Sequence, residues 1–152
     1  MDNRINDLLH AYAQCIDDER YQAWPDFFTD DGIYRITTRK AHQAKMPIGI
    51  LECRNKGMMK DRIYSMFNAN IYAPHHYRHL LSSTMLLGED AGMAMVQSSF
   101  ALIRIMEDGQ SELFLSGFYS DRIDTSGTTC RFRERTVVLD SSRVDTLIVA
   151  PI

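Results

Sequence analysis

Residues 74–80 read PHHYRHL, which sets three of the chain's five histidines beside an arginine and a tyrosine. Histidines at i and i+4 share one face of a helix, the usual way to bring two imidazoles to a zinc or iron ion. His75 and His79 are therefore the first candidates for chemistry. Pro74 argues against that geometry, because it disfavours helical backbone at Ala73 and the RHLLSSTMLL that follows has the character of a strand. On a strand His75 and His79 stand about 13 Å apart, whereas a metal takes each nitrogen at about 2 Å. The position after the first histidine, a glutamate base in zinc proteases, is His76. No carboxylate is singled out to complete a two-histidine iron site. The expectation is a metal-free strand start in which His79 is largely buried and bonded to a backbone group or an acid.

Other residues carry weaker signals. Asp17 and Asp18 could supply a general base if one of them were desolvated beside His79; exposed helix-end acids are the blander alternative. Tyr12, Trp24, Phe27, Phe28, Phe100, Phe114 and Phe118 could line a cavity, but such a set more commonly forms core. Arg131, Arg133 and Arg135 are expected on one face of a strand with Glu134 opposite. Like charges in that arrangement call for acids from a neighbouring strand or another subunit, unless the strand is a solvated edge. GxGxxG, GxxxxGK[ST] and GxSxG are absent, so the sequence gives no support for a nucleotide site or a serine hydrolase.

The elements that position these residues follow from periodicity. Ile5, Leu8, Leu9, Tyr12, Cys15 and Ile16 predict a helix over roughly 3–18, capped by Asp2 or Asn3. RYQAWPDFFTDDG predicts a short aromatic helix or turn ended by Asp30-Asp31-Gly32, and IYRITTR a first strand. Residues 40–56, with Pro47 and Gly49, predict a long contact loop. Met59, Ile63, Met66 and Phe67 line one face of a helix over roughly 57–69. MAMVQSSFALIRIM, SELFLSGFYSDRI and TCRFRERTVVL, separated by EDGQ and DTSGT, predict an antiparallel meander. Helices first and long strands after them indicate α+β, with the helices on one face of the sheet.

Composition sets the bounds. At 152 residues, 45% hydrophobic and 24% charged, the chain is expected to be one soluble domain over 1–152. A net charge of −3 without basic runs disfavours nucleic acid and anionic membrane. Thirteen of the seventeen basic residues are arginine, which mildly favours subunit contacts. Cys15, Cys53 and Cys130 show no metal or disulfide spacing and suggest buried thiols in the cytosol. MDNRINDLL lacks an apolar signal region, and no run of about 18 apolar residues occurs. The chain is expected to be neither exported nor membrane-spanning.

Taken together, IDDERYQAWPDFFTDDGIYRI, ANIYAPHHYRHLL, FALIRIMEDGQSELFLSGFYSDRI and FRERTVVLDSSRVDTLIVAPI resemble the small (beta) subunit of bacterial aromatic-ring-hydroxylating dioxygenases over nearly the whole chain. WPDFFTDD, HYRHLL, LIRIM and DTLIVAPI are most similar to the branch serving aromatic carboxylates, terephthalate before salicylate and anthranilate. The resemblance implies an NTF2-like (cystatin-like) cone, with N-terminal helices packed on a curved antiparallel sheet. It also implies an α3β3 hexamer with a beta trimer in the bacterial cytoplasm. The large (alpha) subunit would hold a Rieske 2Fe-2S cluster and a mononuclear Fe(II). NAD(P)H would feed a separate reductase, and the product would be a cis-dihydrodiol. Arg78 and His79 match the family's RH, and Arg135, Val138, Leu139 and Asp140 its RTVxLD block, both scaffold and interface features. The expectation is no catalytic, cofactor or metal residue in this chain. The alternative is a stand-alone NTF2-like isomerase or dehydratase of a small ring compound, using Asp18, His79 and Tyr12.

Overall fold

A computed structural model describes residues 2–46, 49–68, 74–143, 148 and 150–152. Helix α1 (Asn3–Asp17) begins where the Asp2 carboxylate accepts the Arg4 N–H at 2.9 Å. It buries Ile5, Leu8, Leu9, Tyr12 and Ile16 along one stripe, the set its periodicity predicts. It ends in a left-handed turn at Glu19 (φ 60°), where the N–H groups of Glu19 and Arg20 donate to Ile16 and Cys15. That is a Schellman closure made without glycine, and it aims the acids at the end of the helix toward the sheet. A 3-10 turn over Tyr21–Phe27 then buries Trp24.

Strand β1 (Phe28–Thr38) starts earlier than IYRITT suggests. Asp30-Asp31-Gly32 does not end the aromatic turn but lies inside the strand, at a register shift between Phe28 and Ile33 against its neighbour. Gly32 permits this irregularity, since a Cβ there would stand 2.7 Å from the Phe28 Cβ. The expected 40–56 loop is also partly ordered into elements. Thr38 caps a short α2 (Arg39–Gln43) by accepting the Ala41 N–H, and β2 (Leu51–Cys53) pairs antiparallel with β1. Pro47 lies outside the described residues. In α3 (Lys56–Asn68), Met59, Ile63 and Met66 are buried as expected, but Phe67 is 54% exposed with its ring against Tyr21. Residues 69–73, including Ala73 and the ANIY segment, lie outside the described residues, as do Asp145, Thr146, Leu147 and Val149 of DTLIVAPI.

The second half is the meander: β3 (His75–Asp90), β4 (Met93–Met106), β5 (Ser111–Asp124) and β6 (Arg131–Leu139). Ala91 and Gly92, both at positive φ, make the tight β3–β4 turn. The sheet order is β2-β1-β6-β5-β4-β3, antiparallel except for β1 beside β6. The helices lie against its inner face, and Tyr12, Trp24, Phe28, Tyr34, Phe132 and Ile152 meet there with no exposure. This is the α+β cone that the resemblance implies.

One strand departs from simple alternation in a way that matters. Arg131, Arg133 and Arg135 do not share a face, because the β5–β6 register shifts between Arg122 and Ile123. Phe132 and Arg135 consequently both point into the core. Arg133 faces outward, with its guanidinium 3.2 Å from the Asp31 carboxylate.

Candidate functional site

PHHYRHL is the strip of β3 on which the end of α1 docks. His75, Tyr77 and His79 alternate onto the inner face, and the Tyr77 ring lies 5.0 Å from that of His75. The Asp17 carboxylate accepts both the backbone N–H of His79 (3.0 Å) and its Nδ1–H (2.6 Å). Side-chain exposures of 0% for His79 and 4% for Asp17 make this a desolvated pair. A carboxylate only accepts, so it is Nδ1 that donates, and among the described residues Nε2 is buried without a hydrogen-bond partner. Arg78, mostly exposed, adds a guanidinium 3.7 Å from Asp17, and Glu19 pairs with His76. Acids at a helix C-terminus oppose its dipole; here the strand's basic side chains answer them. The acid that meets His79 is thus Asp17 and lies within this fold. Asp18 is 61% exposed and lies 3.6 Å from the Arg20 guanidinium.

Deeper in the cone lies the second polar feature. Arg135 Nε and one terminal nitrogen donate to the two oxygens of Asp121 at 2.9 and 3.0 Å, directly across the β5–β6 register. Side-chain exposures are 2% and 0%. The guanidinium carbon stands 3.6 Å from the Tyr119 ring centroid and 4.3 Å from those of Tyr12 and Phe132. Burial works against the Arg135 charge, but Asp121 and the surrounding rings outweigh it and hold the guanidinium above its ordinary range. Burial also lifts the Asp121 carboxyl above its usual value, against the pull of Arg135. The bidentate geometry is that of two ions.

Tyr12 is committed to the scaffold. Its hydroxyl donates to the Ile152 carbonyl (2.9 Å) and accepts from Trp24 Nε1 (3.1 Å). Of the aromatic set, Trp24, Phe28 and Phe100 are core, Phe27 and Phe114 are half-buried, and Phe118 turns outward against the His42 ring. A recess of about 430 Å³ opens beside Leu8, Ala11, Phe27 and Cys130, but none of Asp18, His79 and Tyr12 lines it. The Arg135–Asp121 pair was missed from the sequence, where the only available signal was an acid and an arginine inside two β-rich segments.

Burial pushes the Tyr12 and Tyr77 phenols up to about 12 and raises Tyr34 and Tyr119 as well. Groups raised by folding stabilise the native state fully below their unfolded value, near pH 10, and that contribution is lost as pH rises through the folded value. In an absorbance titration at alkaline pH these four phenols are expected to stay protonated until the chain unfolds. Smooth ionisation of all the phenols near pH 10 with the fold intact would contradict the packing described.

The three cysteines are buried as free thiols, and among the described residues no three His, Cys, Asp or Glu side chains could share a metal ion. A Rieske cluster needs two cysteines and two histidines in close pairs, and this donor set does not fit one. No described helix is long and apolar enough to cross a membrane.

A profile described as the ring hydroxylating beta subunit matches residues 11–146. The beta 1 subunit of the terminal oxygenase component of terephthalate 1,2-dioxygenase from a Comamonas species is 38% identical over 142 residues, 93% of this chain and 92% of that one. The small subunit of anthranilate 1,2-dioxygenase from Burkholderia cepacia is 32% identical over 145 residues, 95% of this chain and 90% of its own. A crystal structure assigned as the beta subunit of an aromatic-ring-hydroxylating dioxygenase from Novosphingobium aromaticivorans superposes with a TM-score of 0.89 at 33% identity, covering 99% of this chain and 95% of that one.

Proposed function

The chain belongs to the family of ring-hydroxylating beta subunits, and from that premise we propose that it is the non-catalytic small subunit of an oxygenase acting on an aromatic carboxylate, terephthalate first. As a single cytoplasmic domain over 1–152 it would seat a large alpha subunit in an α3β3 hexamer built on a beta trimer. The large subunit would carry the Rieske 2Fe-2S cluster and the mononuclear Fe(II), with electrons passed from NAD(P)H through a separate reductase. Together they would add both atoms of dioxygen, with two electrons and two protons, across one arene bond to give a cis-dihydrodiol.

The observation that carries the non-catalytic role is the filled cone. Where a stand-alone enzyme would hold substrate, this chain has the Arg135–Asp121 pair wrapped in rings, and the hydroxyl of Tyr12 and Nδ1 of His79 are already bonded. The 38% identity to a terephthalate dioxygenase subunit supports the substrate.

The test is turnover of the reconstituted oxygenase and reductase on terephthalate, anthranilate and salicylate. Terephthalate is expected to give a cis-dihydrodiol at the highest kcat/KM. Asp18→Asn and Tyr12→Phe are expected to leave turnover per assembled complex within about twofold of the parent. Ring-isomerising or dehydrating activity in the chain alone, lost in these variants, would overturn the proposal.

A further inference from the structure

The outer face of the sheet, away from α1, carries a polar recess of about 630 Å³. Its floor comes from residues that alternate out of the core: Arg35 and Thr37 of β1, Glu134 and Thr136 of β6, and Ser120 and Arg122 of β5. The register sets Arg35 and Ser120 on either side of Thr136, and Glu134 beside Arg122. The chain that follows β1 builds the wall. The short α2 reaches round to this face, where the His42 ring meets that of Phe118 at 5.9 Å. α2 closes in a left-handed turn at Lys45 (φ 53°), and the Ile50 N–H then donates to the Ile36 carbonyl at 2.8 Å. Gly49 permits this close return, since a Cβ there would stand 2.5 Å from the same oxygen.

Four lysine and arginine side chains line the recess against two carboxylates. Both carboxylates are already engaged: Arg35 pairs with Glu52 and Glu134, and the Arg122 guanidinium lies 3.6 Å from Glu134. Lys45 and Arg54 are exposed, and among the described residues neither is in an ion pair. Thr37 and Thr136 are only 8% and 9% exposed, and their hydroxyls make no hydrogen bond among the described residues. Buried hydroxyls can donate as well as accept. Unspent donors beneath two unanswered cations suit an oxyanion and disfavour a cation, because a concave site concentrates the field of its surplus charge.

We propose that this recess binds a small organic dianion, whose charge meets Lys45 and Arg54 and whose oxygens accept from the hydroxyls of Thr136 and Ser120. The volume suits a ring-sized guest better than a bare inorganic ion. Dicarboxylates and phosphate monoesters share this chemistry. The assignment goes beyond the scaffolding role and does not rest on it, since the guest is held on the opposite face of the sheet from the core that carries that reading.

Isothermal titration calorimetry of the full chain with terephthalate, phenyl phosphate, benzoate and inorganic phosphate tests this. Both organic dianions are expected to bind at one per chain, about tenfold or more tighter than benzoate, with affinity falling as salt is raised. The tighter of the two tells a carboxylate guest from a phosphate ester. Lys45→Gln/Arg54→Gln is expected to weaken both about tenfold or more, and Thr136→Val about threefold. Lys45→Arg/Arg54→Lys, which keeps the charges, is expected to retain binding and so separates loss of charge from loss of fold. Lys60→Gln, at an exposed lysine outside the recess, is expected to leave it unchanged. A chain that binds neither organic dianion, inorganic phosphate held as tightly as both, or Lys60→Gln weakening binding as much as the Lys45/Arg54 change would overturn the inference.

Discussion

Asp121→Leu and Arg135→Met, made singly, are each expected to lower the unfolding free energy by about 3–5 kcal/mol, while the double variant costs less than either. Each single change leaves one ion without its partner at the centre of the cone, where Arg135 and Asp121 are 2% and 0% exposed. The cost is the desolvation of that stranded charge, not the lost attraction alone. Removing both restores an apolar core of similar volume, so the cycle is expected to be strongly non-additive. The measurement is denaturant unfolding of the four proteins. Additive losses would show that the two groups do not act as a pair. Retention of such a pair in a filled interior fits a scaffold in which β5 and β6 are locked in one register.

Gly117→Ala is the second large effect. A Cβ at Gly117 would stand 2.0 Å from the Val138 carbonyl oxygen, 3.0 Å from its carbon and 3.1 Å from the Leu139 Cα. All three are backbone atoms of β6, so no side chain can move aside, and the strand pair must separate. The expected loss is about 3 kcal/mol or more, at the upper end for overpacking. Thermal unfolding checks it. A variant as stable as the parent would mean that β5 does not approach the β6 backbone this closely at Gly117. Since Phe100 pairs with Gly117 and stacks on Tyr119, the same change is expected to disturb the cover over Arg135.

Much of the architecture was legible because it rests on local rules. Apolar spacing located α1 and α3, and turn chemistry in EDGQ and DTSGT separated the long strands. The reading of His75 and His79 as strand residues followed from Pro74 and from the strand character of RHLLSSTMLL. What escaped depends on contacts made across the fold. Alternation put Arg135 beside Arg131 and Arg133, but one register shift in β6 turned it into the core. Asp17 and Asp18 are equivalent by sequence, and the phase at which α1 docks on β3 puts Asp17, not Asp18, against His79. β2 was hidden in a segment of weak periodicity because a three-residue edge strand has too few residues to show one. The site is therefore less legible than the fold: its partners are chosen by tertiary packing, which bonds His79 to Asp17 and Tyr12 to Trp24 and Ile152.

The central claim is that this chain acts by holding a catalytic subunit. It is tested most directly by mixing the purified chain with a ring-hydroxylating large subunit and measuring complex composition and iron per subunit. The account predicts a stoichiometric complex in which the iron stays with the large subunit and arene dihydroxylation requires that subunit. A chain that never associates with the large subunit, or that alone transforms a small ring compound, would contradict it.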